Sequence, residues 1–272
     1  MQQALIDDFV ARLAREPAVL VSVDSTQGSV PREAGAWMGV FAAGESIGTV
    51  GGGHLEYEAI ALARRMLRGE SQPPLHRFAL GPSLGQCCGG VVHLRVDLLP
   101  SDAGGALRAR LEAQADAQRM PVALFGGGHV GRAIVQALLP LPVRVHWIDS
   151  RDEVFPNGLP RQVRSEHSAP VHAAVSDLDA GSRVLIMSFS HAEDLDIVAA
   201  CLQRQREHAD LAFIGLIGSR SKWAAFGHRL EARGYSPAEL AFVTCPIGVA
   251  GVVGKEPEVI AAAVAAQLLQ RR

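Results

Sequence analysis

The 272-residue chain has no apolar run approaching the roughly 20 residues that a membrane-spanning helix requires. A secretory leader is not expected either, because Asp7, Asp8 and Arg12 interrupt the first amphipathic stretch. There are only four cysteines, and two of them, Cys87 and Cys88, are adjacent. That pattern is neither a disulfide framework nor a two-pair zinc site. The ten histidines show no H-x-x-x-H spacing, so no zinc site is expected. Charge of one sign is lacking too: the net value of −2 leaves no footprint for nucleic acid or an anionic membrane. Together these absences point to a reducing, cytoplasmic setting, with neither nucleic acid nor membrane as partner.

What is present suits a globular protein with a real core and length enough for two domains. Helical periodicity covers residues 4–15, and a strand is expected at 18–25. A hairpin follows at 37–43 and 46–50, turning at Gly44 and Glu45, and then a helix at 54–69. Further strands are expected at 77–80 and 91–99, which makes residues 1–100 an α+β domain. Residues 101–120, rich in Ala, Arg and Asp, predict a solvated connecting helix. From residue 121 to 272 the pattern becomes βαβ, with apolar strands at 122–125, 143–149, 183–189 and 211–218. Helices separate them, and residues 151–182 show no regular pattern. The expected class is α/β: a C-terminal Rossmann-like, doubly wound parallel sheet with a smaller N-terminal α+β domain.

Three glycine-rich loops carry the chemistry. Gly126, Gly128 and Gly131, with His129 between them, fit G-x-G-x-x-G after a strand and at the start of a helix. Such glycines allow a tight turn and close backbone approach, while the helix N-terminus offers free N–H groups to a phosphate. Asp149 ends the next strand, where an acid commonly receives ribose hydroxyls. A Rossmann scaffold that has lost its cofactor remains the alternative. The second loop, Gly51-Gly52-Gly53, also precedes a helix and can hold an anion; a plain hairpin-to-helix connection explains it equally well on composition. Upstream, Arg32 is a planar donor suited to phosphate or carboxylate.

The third loop, Gly85-Gln86-Cys87-Cys88-Gly89-Gly90, places thiols among backbone N–H groups that favour thiolate. Adjacent residues of an extended segment diverge, so one of the two faces a ligand. A buried structural pair is the competing explanation. Cys201 lies in an apolar helix and reads as core, while Cys245, beside Pro246, is undecided. His191 follows the strand 183–189 and could face the cleft.

These loops together resemble the xanthine dehydrogenase accessory protein family, XdhC. GSVPREAGAWM, GTVGGGHLE and GQCCGG are similar to its N-terminal signatures; LFGGGHVGRAI, FIGLIGSRSKWAAF and TCPIGVAGVVGKEPEVIAAAVAAQLL are similar to its Rossmann half. The resemblance implies a chaperone that binds molybdenum cofactor (molybdopterin), supports its sulfuration and inserts it into xanthine dehydrogenase, without catalytic turnover. The implied partners are the molybdenum-binding subunit of xanthine dehydrogenase and a cysteine desulfurase. The apolar C-terminal helix and family habit point to a homodimer. Gly126, Gly128, His129, Gly131, Asp149, Gly51, Gly52, Gly53, Arg32, Cys87 and Cys88 are the expected cofactor-binding residues. Cys87 and Cys88 are directed at the molybdenum, a metal that suits soft sulfur. One departure stands out: where the family often shows Thr-His, this chain has Ser188-Phe189, while His191 and Asp194 still match. The alternative function is an NAD(P)-dependent oxidoreductase, for which only His191 or Lys222 offers proton transfer.

Overall fold

The structure is a computed structural model that describes residues 2–81 and 89–270. The chain divides into two compact units, Met1–Ala117 and Gln118–Arg272.

The first unit is a five-stranded antiparallel sheet in the order β3-β2-β1-β5-β4. Its strands are β1 (Ala18–Gln27), β2 (Trp37–Phe41), β3 (Ser46–Gly48), β4 (Leu75–Ala79) and β5 (Val91–Leu99). Because side chains alternate along a strand, Val19, Val21 and Val23 face one way and Ala18 and Leu20 the other. Here both faces are covered. Helix α2 (Gly53–Leu67) lays Leu55, Ala59, Leu62 and Ala63 on the valine side. On the opposite side, α1 (Gln2–Leu13) and α3 (Gly104–Gln118) bring Ile6, Phe9, Leu13, Leu107 and Leu111 against Leu20, Trp37 and Phe41. Gly39 is required there, because a Cβ would overlap the Phe9 ring.

Helix α3 corrects the expectation of a solvated connector. Its charged residues conceal a stripe at i, i+4 and i+8, and Leu107, Leu111 and Ala115 are buried in the first unit. The first unit therefore extends beyond residue 100.

The second unit is a six-stranded parallel sheet in the order β11-β10-β9-β6-β7-β8. Its strands are β6 (Met120–Phe125), β7 (Val143–Asp149), β8 (Val163–His167), β9 (Arg183–Ile186), β10 (Phe213–Leu216) and β11 (Val243–Thr244). Counted within the unit this is the 3-2-1-4-5-6 order of dinucleotide-binding domains, with its switch point between β6 and β9. Helices α4 (His129–Leu138) and α8 (Pro257–Gln270) cover one face. Helices α5 (His191–His208) and α6 (Arg220–Ala232) cover the other, together with a short 3-10 helix at Val171–Asp177. A one-turn helix, α7 (Pro237–Leu240), leads into β11. Strand β8 lies inside the stretch expected to be irregular: at the sheet edge only Val163 of its five residues is buried, so no apolar pattern marks it. Among the described residues no helix is long and apolar enough to cross a membrane.

Candidate functional site

The loop after β6 sits at the switch point, where such sheets open a crevice for ligands. Gly126 and Gly131 are required for packing. A Cβ on Gly126 would overlap the Met187 carbonyl oxygen, and one on Gly131 would overlap the carbonyl oxygen of Gly126. That same Gly126 carbonyl accepts a bond of 2.9 Å from the Trp147 indole N–H. Gly128 differs: it is exposed, its φ is −71°, and a Cβ there would meet nothing within 4 Å. It is the N-cap of α4 and supplies no side-chain cap, whereas Ser190 and Ser219 cap α5 and α6 with their hydroxyls. The first turn of α4, with exposed His129 at its start, therefore has N–H groups that no side chain caps.

Asp149 ends β7 as expected, yet its surroundings differ from those of a ribose-binding acid. It is buried, and each oxygen already takes two donors. Oδ1 accepts from the Arg151 backbone N–H and Nε, both at 2.9 Å. Oδ2 accepts from the Gly127 N–H at 2.6 Å and from Arg151 Nη2 at 2.9 Å. A carboxylate offers about four lone-pair sites, so none is left for ribose hydroxyls. Burial alone would raise the pKa of Asp149, but the bonds from Arg151 and Gly127 and the Arg151 charge outweigh it and hold it below its ordinary value. The acid organises the glycine turn and Arg151. Arg132 adds a second clasp, donating to Gly127 O at 3.2 Å and Val154 O at 2.7 Å.

In the first unit, the expected phosphate cradle at Gly51, Gly52 and Gly53 is corrected. The N–H groups of Val50, Gly51 and Gly52 converge on Glu56 Oε1 at 3.0, 3.2 and 2.8 Å, and the Thr49 hydroxyl donates to the same oxygen. An internal carboxylate already fills the nest. Burial would raise the pKa of Glu56, but these four donors more than offset it and leave it lowered. Gly53 has a positive φ and opens α2. Loops far apart in sequence do meet here: a Cβ on Gly51 would strike Pro31 and approach Arg32, and one on Gly90 would overlap Ser29 O. Arg32 is exposed and has no partner among the described residues. Cys87 and Cys88 lie outside the described residues.

Of the remaining positions, Cys201 is core: burial pushes its thiol up to about 12, against a small opposing effect of Arg204. Cys245 is half-buried, its thiol raised by burial, with Sγ 3.8 Å from Ser219 O. His191 is exposed at the start of α5, its ring edge-on to Phe226. Lys222 is engaged in the fold, with Nζ donating to Asp194 Oδ2 at 2.6 Å and to Ile217 O at 2.9 Å. Asp194 in turn accepts from the Ser188 N–H and hydroxyl at 2.8 and 2.7 Å. Neither side chain stands ready to move a substrate proton. Among the described residues no group of three or more His, Cys, Asp or Glu is placed to hold a metal ion.

Sequence reasoning missed Arg151 and Phe189. The Arg151 guanidinium lies 4.5 Å over the Phe189 ring, which is 67% exposed in the loop between β9 and α5. Their signals were an arginine two residues after the acid and an aromatic just past a buried strand.

Strand order, the open Gly128 turn and the uncapped α4 define a Rossmann-type protein with an open glycine turn at its switch point. The model of the XdhC Rossmann domain matches residues 122–268, and that of the XdhC and CoxI family matches residues 11–79. The chain belongs to the XdhC family. It is 28% identical over 256 residues to the uncharacterized protein YqeB of Escherichia coli strain K12. That alignment covers 93% of this chain and 43% of YqeB, so the chain spans about two fifths of that relative. A Bacillus halodurans protein, described with its crystal structure as a xanthine dehydrogenase, superposes with a TM-score of 0.72 at 17% identity. The match covers 100% of this chain and 95% of the other, and at that identity it speaks for the fold.

Proposed function

We propose that this chain is a maturation factor that holds molybdenum cofactor by its phosphate and passes it to the molybdenum-binding subunit of xanthine dehydrogenase. The observation that carries the reading is the loop at Gly126–Gly131. Its outer glycines are fixed by packing, while Gly128 lies open before an uncapped helix. A phosphate fits that cradle. Asp149 leaves no acceptor for a ribose diol, and Lys222 and Asp194 are tied to one another, which weighs against an NAD(P)-dependent oxidoreductase. Family membership favours an accessory role over an enzymatic one.

When bound, the cofactor supplies the redox-active molybdenum that the dehydrogenase needs. The chain's own residues bind and orient: the α4 turn takes the phosphate. The thiols of Cys87 and Cys88 are soft donors of the kind molybdenum takes, and a cysteine desulfurase would provide the terminal sulfur. Work of this kind belongs in the cytoplasm, and a homodimer is the proposed state. The test is anaerobic purification followed by oxidation and pterin fluorescence, with NAD(H) calorimetry alongside. Retained pterin and no tight NAD(H) binding is the expected result. Tight NAD(H) binding without pterin sinks the reading.

A further inference from the structure

We propose that Phe189 and Arg151 form a stacking wall for the planar heteroaromatic ring of a phosphorylated ligand, so that this edge of the crevice selects a ligand by its ring as well as its phosphate. The proposal rests on the reading that the Gly126–Gly131 loop receives the phosphate.

The wall is joined to that loop by an unbroken series of contacts. The Gly127 N–H binds Asp149, Asp149 holds Arg151 through Nε and Nη2, and the guanidinium lies over Phe189. On the other side, Gly126 packs against the Met187 carbonyl, two residues before Phe189. The ring is exposed, but its backbone is not loose. The Phe189 N–H donates to Glu193 Oε2 at 3.2 Å, and Glu193 Oε1 accepts from the Ser150 hydroxyl at 2.7 Å. A large aromatic side chain is thus held out in solvent on a fixed support, at the carboxyl ends of β7 and β9.

Its neighbours decide what it fits. Arg151, Glu193, Ser188, Ser190 and His191 are polar, whereas the core of a protein-binding patch gathers apolar residues. One aromatic face amid polar groups suits a single flat heterocycle. An aromatic face stacks any such ring, and a guanidinium beside it attracts ring oxygens and phosphate. Arg151 is 38% exposed, and among the described residues its Nη1 takes no hydrogen-bond partner. The ring is that of a nucleobase or a pterin.

The experiment is calorimetry on the full chain with three probes: guanosine monophosphate, neopterin monophosphate and ribose 5-phosphate. At least one ring-bearing probe should bind about tenfold more tightly than ribose 5-phosphate, a gain within reach of one stacking contact. Phe189→Ala should abolish that advantage with an unchanged melting temperature, and Phe189→Tyr should keep it. A preference for neopterin monophosphate identifies a pterin ring, and the reverse a nucleobase. Equal binding of all three probes, no binding of any, or an advantage that survives Phe189→Ala overturns the proposal. Pterin retained on purification is measured in parallel. Retention unaffected by Phe189→Ala leaves the cofactor reading standing without the wall, whereas ring-dependent binding without retained pterin leaves the wall and removes that reading.

Discussion

Lys222 Nζ lies 2.6 Å from Asp194 Oδ2, with the two side chains only 12% and 3% exposed, so α6 is fastened to the start of α5 by a buried ion pair. Removing one partner leaves the other charged and without compensation. Lys222→Met should destabilise the protein by about 3–5 kcal/mol. The double variant Lys222→Met/Asp194→Leu should recover much of that loss. Urea unfolding of the three proteins checks it, and a single variant as stable as the parent refutes it.

Gly128 and Gly131 should part company. At Gly128 an added methyl meets nothing, so Gly128→Ala should leave unfolding within about 0.5 kcal/mol of the parent while reducing retained pterin. At Gly131 the methyl runs into the Gly126 carbonyl, and Gly131→Ala should cost about 1–3 kcal/mol. Melting temperature and pterin content measured together separate the two effects. Unchanged pterin in a folded Gly128→Ala protein removes this loop from the binding site.

Glu56 makes stability depend on acid. Its pKa is lowered on folding, so its contribution is fully present above the unfolded value of about 4.3 and disappears as pH falls through the folded value. Glu56→Gln should cost about 1–2 kcal/mol at pH 7, towards the low end because the carboxylate is only part-buried. The difference between variant and parent should shrink below pH 4. Thermal melts across that range decide it; a difference that grows in acid contradicts the sign.

Cys87 and Cys88 lie outside the described residues; on the sequence expectation that neighbouring side chains there diverge, serine substitution at the two positions should have unequal effects on bound cofactor. The harmful variant should keep its melting temperature while losing cofactor and the activity restored to apo xanthine dehydrogenase. Equal cofactor content in both variants and the parent ends the thiol hypothesis. Parallel loss of stability in both would mark a structural pair.

The Rossmann half was legible because its central strands are continuous apolar runs and its glycine turn is bounded by a strand and a helix. The edge strand β8 and the two-residue β11 were not, since one is mostly solvent-facing and the other too short to show a period. Helix α3 misled because its apolar stripe is narrow among many charged residues. At the site, sequence located the loops but not their occupants. A glycine-rich turn before a helix looks the same whether its N–H groups await a ligand or already bind a carboxylate four residues downstream, as with Gly52 and Glu56. Likewise, an acid at the end of the second strand reads as a ribose acceptor until Arg151 is seen wrapped around it.

The carboxylate of Glu56 gives the first unit a resident counter-ion. Backbone amides pointing inward at one spot repel each other when nothing negative lies among them, and many anion-binding turns become ordered only once loaded. Here the chain's own carboxylate completes the turn. Helix α2 therefore starts from a point that is fixed at neutral pH by the protein alone. Acid that protonates Glu56 would loosen the first turn of that helix before it reached the valine core beneath.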